Sequence, residues 1–453
     1  MSKNVVVIGG GLAGLAAALY LARAGRRVTI FEKRRTLGGR AITHLRHGYR
    51  FNLGAHAIYR SGPGAAVYRE LGVPLRGGRV KSKGVAVLGG ETYTLPFTPA
   101  GFITSSLLTV KAKAELAALL LRVWRLDPSR YATMTAREWL DANVSNERLR
   151  QVMEALMRLA TYADHAETES AAAALAQLKI SLRGVLYVDE GWQKIVDTMH
   201  SAAVAAGVNF VTSSRIVGVH HDGAVQSIEL GGLEVDADRM DTQSIALPEL
   251  KPEDVSGPRL PADTVVLAVD PNTAAELVGD AKVTNGWTSA RKITAACLDV
   301  ALSKLPEPRK TFALGIDQPL YLSVHSQWAQ LTPRGGALIH VAKYRKSSVA
   351  GHSDEVEESR VRRSAESARD ESEMEALLDT IQPGWRNVLV HRRFLPSMTV
   401  SNALITPTTQ RPSPITPVRG LYIAGDWVGN EGMLSDAALT SARAAAKAIL
   451  ASA

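Results

Sequence analysis

VVVIGGGLAGLAAALYLARAG, residues 5–25, is the stretch from which the rest of the chain is read. An apolar run stops at three glycines and gives way to alanine and leucine. Glycine weakens strands and helices alike, so three together mark a turn where a side chain would be in the way. Asn4–Ile8 reads as a buried parallel strand, and Leu12–Ala24 as a helix with Gly25 as its C-terminal stop. Val28–Glu32 reads as a second strand. This is one βαβ unit, the start of a Rossmann-like, doubly wound α/β sheet. Gly9, Gly11 and Gly14 have the dinucleotide-binding spacing. Gly9 permits the tight turn, Gly11 lets a pyrophosphate approach bare backbone, and Gly14 lets helix and strand pack closely. The pyrophosphate then rests on the positive end of the helix, beside Leu12 and Ala13. Glu32 closes the second strand, where a carboxylate binds ribose hydroxyls and disfavours a 2′-phosphate.

The chain has 453 residues, too many for one compact core, so two interleaved domains are expected. One cysteine, Cys297, excludes an internal disulfide and a CxxC redox pair, and no metal site is expected. No basic leader precedes the first apolar run, and no apolar stretch reaches the roughly 18–20 residues of a spanning helix. A reducing, cytoplasmic setting is expected. The net charge of +9 favours anionic partners such as a phosphorylated cofactor or anionic lipid. The positive residues are spread widely and no nucleic-acid motif is present, so nucleic acid is not an expected partner.

After Glu32 comes EKRRTLGGRA, which brings Lys33, the pair Gly38-Gly39 and Arg40 close behind the acidic residue. Backbone amides and an arginine there can reach cofactor phosphates from a second side. At this point the chain resembles the FAD-dependent amine oxidase and phytoene desaturase superfamily. GYRFNLGAHAIY is similar to the family segment passing the isoalloxazine ring, which implies contacts from Gly54, Ala55 and His56. VDEGWQKIVDTM resembles the segment before a second set of strands, with Gly191-Trp192 where the family favours Gly-Gly or Gly-Met. SSRIVGVHHDG and ADTVVLAVDP resemble strands at the adenine end, implying roles for Ile216 and Ala268. GLYIAGDWVGNEGMLSDAALTSARAAAKAI is similar to the C-terminal flavin motif and carries Gly425, Asp426, Met433 and Leu434. The resemblance implies bound FAD. It also implies an FAD domain built from residues 1–75, 185–285 and 390–453, with an interleaved α+β substrate domain from 76–184 and 286–389.

Within the superfamily, amine oxidases place aromatic side chains against the flavin. Here that position aligns near Met433, and no Tyr or Trp follows Val428; Trp427 or Trp385 would have to take the role. DQPLYLSVHSQWAQLTPRGGALIHVAKY and QPGWRNVLVHRRFLPSMTVSNA resemble the desaturase branch, which implies an apolar isoprenoid or polyene substrate that is oxidised or isomerised. An amine oxidase, a protoporphyrinogen oxidase-like enzyme and a non-catalytic flavin-binding partner protein are the alternatives. FITSSLLTVKAKAELAALLLRVWR mixes leucines with Lys111, Lys113, Arg122 and Arg125. It reads either as a domain-packing helix lining the substrate pocket or as a helix in a membrane interface. His56 is the titratable candidate for proton transfer beside the flavin, and no other acid–base pair is evident. His220 and His221 precede a turn and are expected in solvent. Cys297 lies in an apolar strand pattern, far from the flavin motifs. DEVEESRVRRSAESARDESEMEALLDTI reads as a charged helix with a solvated outer face.

Overall fold

The computed structural model describes residues 4–80, 83–231, 257–346 and 356–452, with side chains of the last stretch from residue 364. Its first sheet grows from the opening apolar run. β1 (Asn4–Ile8) lies between β2 (Arg27–Phe31) and β14 (Thr264–Leu267). β10 (Asn209–Val211) and β20 (Leu421–Ile423) form the edges, and all pairings are parallel. Val5 and Val7 enter one core while Val6 and Ile8 enter another. A strand covered on both faces needs a continuous apolar run.

Helices α1 (Leu12–Arg23), α8 (Gln193–Ala205) and α11 (Leu434–Ala451) cover the first face, with α2 (Pro63–Glu70) beside α11. Buried alanines, Ala17 and Ala18 in α1 and Ala442 and Ala445 in α11, let these helices approach closely. Gly25, at φ +81°, ends the first helix as expected. α9 (Pro271–Val278) and the meander β11 (Ile216–His221), β12 (Val225–Leu230) and β13 (Arg259–Pro261) cover the other face. The proline-rich loop expected over 246–263 falls partly outside the described residues, from 246 to 256.

A second sheet has seven strands in the order β19-β15-β18-β17-β16-β7-β8. They are β7 (Val85–Leu88), β8 (Glu91–Thr94), β15 (Ile293–Leu302), β16 (Phe312–Gly315), β17 (Leu320–Val324), β18 (Ala337–Arg345) and β19 (Leu389–Ser401). Gly89 and Gly90, both at positive φ, make the expected two-residue hairpin between β7 and β8. Short strands lie between the two large sheets along the chain. They are β3 (Thr43–Arg46) with β4 (Tyr49–Asn52), and β5 (Ile58–Tyr59) and β6 (Gly77–Arg79) on either side of β9 (Val185–Val188).

A helical layer follows the hairpin: α3 (Pro99–Thr104), α4 (Val110–Arg125), α5 (Ala136–Asn143), α6 (Glu147–Thr161) and α7 (Ala171–Leu182). The leucine-rich stretch expected as one helix is two, because the Thr109 hydroxyl accepts from Ala112 N and starts α4 afresh. α4 buries Leu116, Leu119 and Val123 and leaves Leu121 and Trp124 exposed. The charged helix forms as expected, with most of its described positions open to solvent. α10 (Val356–Ile381) turns Met374, Leu377, Leu378 and Ile381 onto the second sheet, against Leu298, Val300 and Ile339. Its apolar residues are few, but they cluster at helical spacing in the last turns.

Candidate active site

The glycine turn has the geometry its spacing predicts. Gly9 sits at φ +108° and donates from its N–H to Phe31 O at 2.8 Å. A Cβ on Gly14 would meet Gly9 O at 1.9 Å, so Gly14 is required by the fold itself. Gly11 differs. Its φ of −79° suits any residue, and a Cβ there would meet only Gly38 O, at 3.9 Å. Nothing in the chain demands glycine at this position. Gly11 is also the N-cap of α1 and offers no side-chain cap, so the amides of Leu12 and Ala13 head an uncapped helix end. Bare backbone, room beside it and an uncapped helix end fit a pyrophosphate.

Glu32 accepts from Gly10 N at 2.7 Å and from Arg34 N at 2.9 Å. A carboxylate has lone pairs beyond these two bonds. Lys33 is exposed beside it. Gly38 donates from its N–H to Gly10 O at 2.9 Å, and Gly38 and Gly39 both take positive φ. The second glycine pair is thus docked on the first. Ala268 packs under Gly9, and its N–H donates to Ile8 O at 2.8 Å. Ile216 is buried in the core on the meander side and is not brought against Gly11.

Arg40 joins the two ends of the chain. Its Nη1 donates to Asp426 Oδ2 at 2.9 Å across 386 residues. Asn402 donates to the same carboxylate from its backbone N at 2.9 Å and from Nδ2 at 3.0 Å. Burial alone would raise the Asp426 carboxyl, but the Arg40 charge and the Asn402 bonds outweigh it and hold the group below the usual carboxylate range. Gly425 donates from its N–H to Ser441 Oγ at 3.0 Å, which ties the end of β20 to α11. Met433 is the N-cap of α11 and offers no side-chain cap, and Leu434 follows at φ +56°. A left-handed leucine is strained and recurs mainly at functional positions. α11, like α1, therefore opens on uncapped amides.

His56 lies between these ends. Nδ1 is 3.1 Å from Gly54 O and Nε2 is 3.1 Å from Arg40 O. Burial lowers its pKa to about 4, so the ring is neutral at pH 7 and carries one proton between two carbonyl acceptors. The Trp192 ring stands edge-on to it at 4.9 Å. Trp192 is held by its backbone N–H, which donates to Asn52 Oδ1 at 3.0 Å. The aromatic neighbour of His56 therefore comes from the departure Gly191-Trp192. Trp427 is locked in the first domain's core, donating to Val269 O, and Trp385 is locked under α10, donating to Asp379.

Three expectations are corrected here. Cys297 is distant from Gly54 in sequence but adjacent in space: a Cβ on Gly54 would lie 3.7 Å from its sulfur. A second acid–base pair exists, because Asp299 Oδ1 accepts from His340 Nδ1 at 2.5 Å with both side chains fully buried. His220 is not free in solvent; it pairs with Glu229 at 2.6 Å. The Asp299–His340 pair joins two strands far apart in sequence. The signal was present only as polar residues at alternate positions in otherwise apolar strands.

A parallel sheet with uncapped helix ends around a glycine cradle defines a dinucleotide-binding α/β protein with a second, mixed-sheet domain. The chain belongs to the flavin-containing amine oxidoreductase family, which it matches over residues 12–450. It is an oxidoreductase of this flavoprotein superfamily. Its fold is that of an oxidoreductase from Methanosarcina mazei, with a TM-score of 0.73 and 18% identity over 99% of this chain and 100% of that one. Putrescine oxidase with putrescine bound shares it at a TM-score of 0.66 and 16% identity over 100% and 99%. Two curated relatives match short stretches. Polyamine oxidase 2 of Arabidopsis thaliana is 40% identical over 77 residues, 16% of each chain. The 4,4′-diaponeurosporene oxygenase of Staphylococcus aureus is 41% identical over 54 residues, 12% of this chain and 11% of its own. Among the described residues, no helix is long and apolar enough to cross a membrane.

Proposed function

We propose that this chain is an FAD-dependent oxidoreductase of the phytoene desaturase-like branch. It would dehydrogenate or isomerise an apolar, isoprenoid- or polyene-like substrate. The observation that carries the cofactor is Gly11, a glycine that leaves open space the fold does not use. When bound, FAD supplies a two-electron acceptor. The amides at Gly11–Gly14 would hold its pyrophosphate, and Glu32 its ribose. Gly38, Gly39 and Arg40 would close the second side, while Asp426, Met433 and Leu434 would line the α11 end. Gly54, Ala55 and His56 would face the ring, and neutral His56 could hold a proton there. Ala268 and Ile216 would lie toward the adenine. The FAD domain would comprise 1–75, 185–285 and 390–453, although β19 reaches across that last boundary into the second sheet.

The substrate class is supported by the surface of the helical layer. Val110 is 84% exposed and Leu121 61%, with Trp124 beside them and Arg183 over the indole ring at 5.5 Å. Lys111, Lys113, Arg122 and Arg125 surround this apolar patch. Such a surface suits peripheral contact with an anionic membrane, from which an apolar substrate would be drawn. The local likeness to a carotenoid oxygenase favours the same class.

The local likeness to a polyamine oxidase favours the second reading, a flavin amine oxidase. The test is anaerobic mixing of the flavin-loaded protein with an apolar polyene in phosphatidylglycerol vesicles, with a soluble polyamine run in parallel. Bleaching of the flavin by the polyene supports the first reading. Bleaching by the amine alone replaces it with the second.

A further inference from the structure

A row of polar side chains crosses four neighbouring strands of the second sheet, on the face turned away from α10. In matched register stand Arg393 on β19, Asp299 on β15, His340 on β18 and Ser323 on β17. The opposite face at the same strands is Leu298, Val300, Ile339 and Leu322. Strands buried on both faces are ordinarily apolar on both, yet Asp299, His340 and Ser323 are buried, and a buried ion pair is weak evidence for stability. The row therefore calls for another reason.

Its hydrogen bonds give a direction. Arg393 Nε donates to Asp299 Oδ2 at 3.0 Å, and its Nη2 reaches both that oxygen and Asn52 O. Asp299 Oδ1 accepts from His340 Nδ1 at 2.5 Å and from Cys297 Sγ at 3.2 Å. The carboxylate thus holds the proton of His340 on Nδ1 and leaves Nε2 as the acceptor nitrogen. His340 Nε2 is buried and has no hydrogen-bond partner. The His325 ring stands 4.3 Å away, with Nε2 on Tyr321 OH at 3.3 Å and Nδ1 also without a partner. Two imidazoles in edge contact thus each keep one ring nitrogen without a partner. Both lie in electrostatic reach of each other, and His56 lies in reach of both. The row borders the ring-facing loop as well, since Arg393 holds Asn52 O and the Cys297 sulfur lies against Ala55.

We propose that His340 is the terminal proton acceptor of this site, and that Asp299, clamped by Arg393, is the positioning residue that presents its Nε2. The inference rests on the flavin reading above. Dehydrogenation removes two hydrogens from neighbouring substrate atoms. One leaves with its electron pair, which reduces the flavin that the family carries. The other leaves as a proton, its bond pair becoming the new π bond, and that proton ends on His340 Nε2. The imidazolium so formed shares the Asp299 carboxylate with Arg393. Around His340 stand Asp299 and Cys297 from β15, Ser323 from β17 and the His325 ring, with His56 in electrostatic reach; Arg393 from β19 holds Asp299, and Tyr187 and Tyr321 contact His325.

The test needs no substrate, because a group that accepts the substrate's proton as the flavin is reduced is expected to take that proton from water when light supplies the electrons. Flavin-loaded protein is photoreduced without oxygen in weak buffer, and a pH dye counts the protons taken up per flavin. The wild type is expected to take up one proton more than His340→Gln, and Asp299→Asn to take up less than the wild type at the same pH, since its amide no longer fixes the Nδ1 proton of His340. Equal uptake by wild type and His340→Gln overturns the proposal. Should His340→Gln not fold, ¹⁵N spectra of histidine-labelled wild type decide. One ring is expected to pass from the Nδ1–H tautomer to imidazolium on photoreduction, and no such ring overturns the proposal. A protein that binds no flavin would instead refute the cofactor reading. An extra proton without bleaching by polyene would refute only the substrate class.

Discussion

Asp436 shows how one side chain couples the helix ends to pH. It lies in the first turn of α11, pressed against Gly62 and Gly64, where a Cβ would come within 2.0 Å and 2.3 Å of its oxygens. Burial pushes its carboxyl up from 3.8 to about 7, and Oδ2 has no partner. Between about pH 4 and pH 7 the native state keeps a proton that the unfolded chain has released. Stability therefore falls as pH rises through that window, by on the order of 4 kcal/mol once the pH is above both values. Asp436→Asn keeps an acceptor for Gly64 and removes the titration. Urea unfolding at pH 4 and pH 8 is expected to show the variant gaining on the wild type as pH rises; an unchanged gap would rule out the buried proton. Gly64→Ala is expected to destabilise the fold by about 1–3 kcal/mol, since the Asp436 carboxylate cannot withdraw without losing its bond.

At the scale of elements, α10 has the expected solvated outer face and also a packed inner one. Its charge pattern shows only the outer face; on the inner one Leu378 is fully buried against the second sheet. Leu378→Ala is expected to cost about 2–5 kcal/mol in denaturant unfolding, whereas a solvated position would lose less than about 0.5 kcal/mol. What was legible in the sequence follows from this contrast. β1, α1, β2 and the Gly89-Gly90 hairpin were readable because each is set by neighbours in sequence: an apolar run, a glycine turn, a helix stop. The division of the leucine-rich stretch at Thr109 was missed, although a threonine N-cap is a local signal. The Asp299–His340–Arg393 row and the Trp192–His56 contact were not legible. They exist only through strand register and chain crossings, which one-dimensional spacing does not encode. The surface of α4 offers its own test. Replacing Leu121 and Trp124 together by serine is expected to reduce co-sedimentation with phosphatidylglycerol vesicles several-fold and to leave folding unchanged, because both are exposed. Undiminished sedimentation would assign the patch no membrane role.

Across the whole molecule, the cofactor reading depends on distant segments meeting. Gly11 meets Gly38, Arg40 reaches Asp426, and His56 lies under Arg40 O. Asp426→Asn keeps the shape but weakens the link to Arg40, and loss of flavin is expected to exceed loss of folding. The glycine pair gives the sharpest separation, because one glycine serves the fold and the other does not. Gly14→Ala drives a methyl group to 1.9 Å from Gly9 O, so it is expected to destabilise the chain itself. Gly11→Ala adds a methyl with no atom beyond its own chain neighbours nearer than 3.9 Å. The measurement to make is bound flavin per folded chain in wild type and Gly11→Ala, by flavin absorbance and circular dichroism on the same samples. A wild type with one flavin per chain and a folded, nearly colourless Gly11→Ala would bear out the cradle. A Gly11→Ala protein as yellow as the wild type would contradict it.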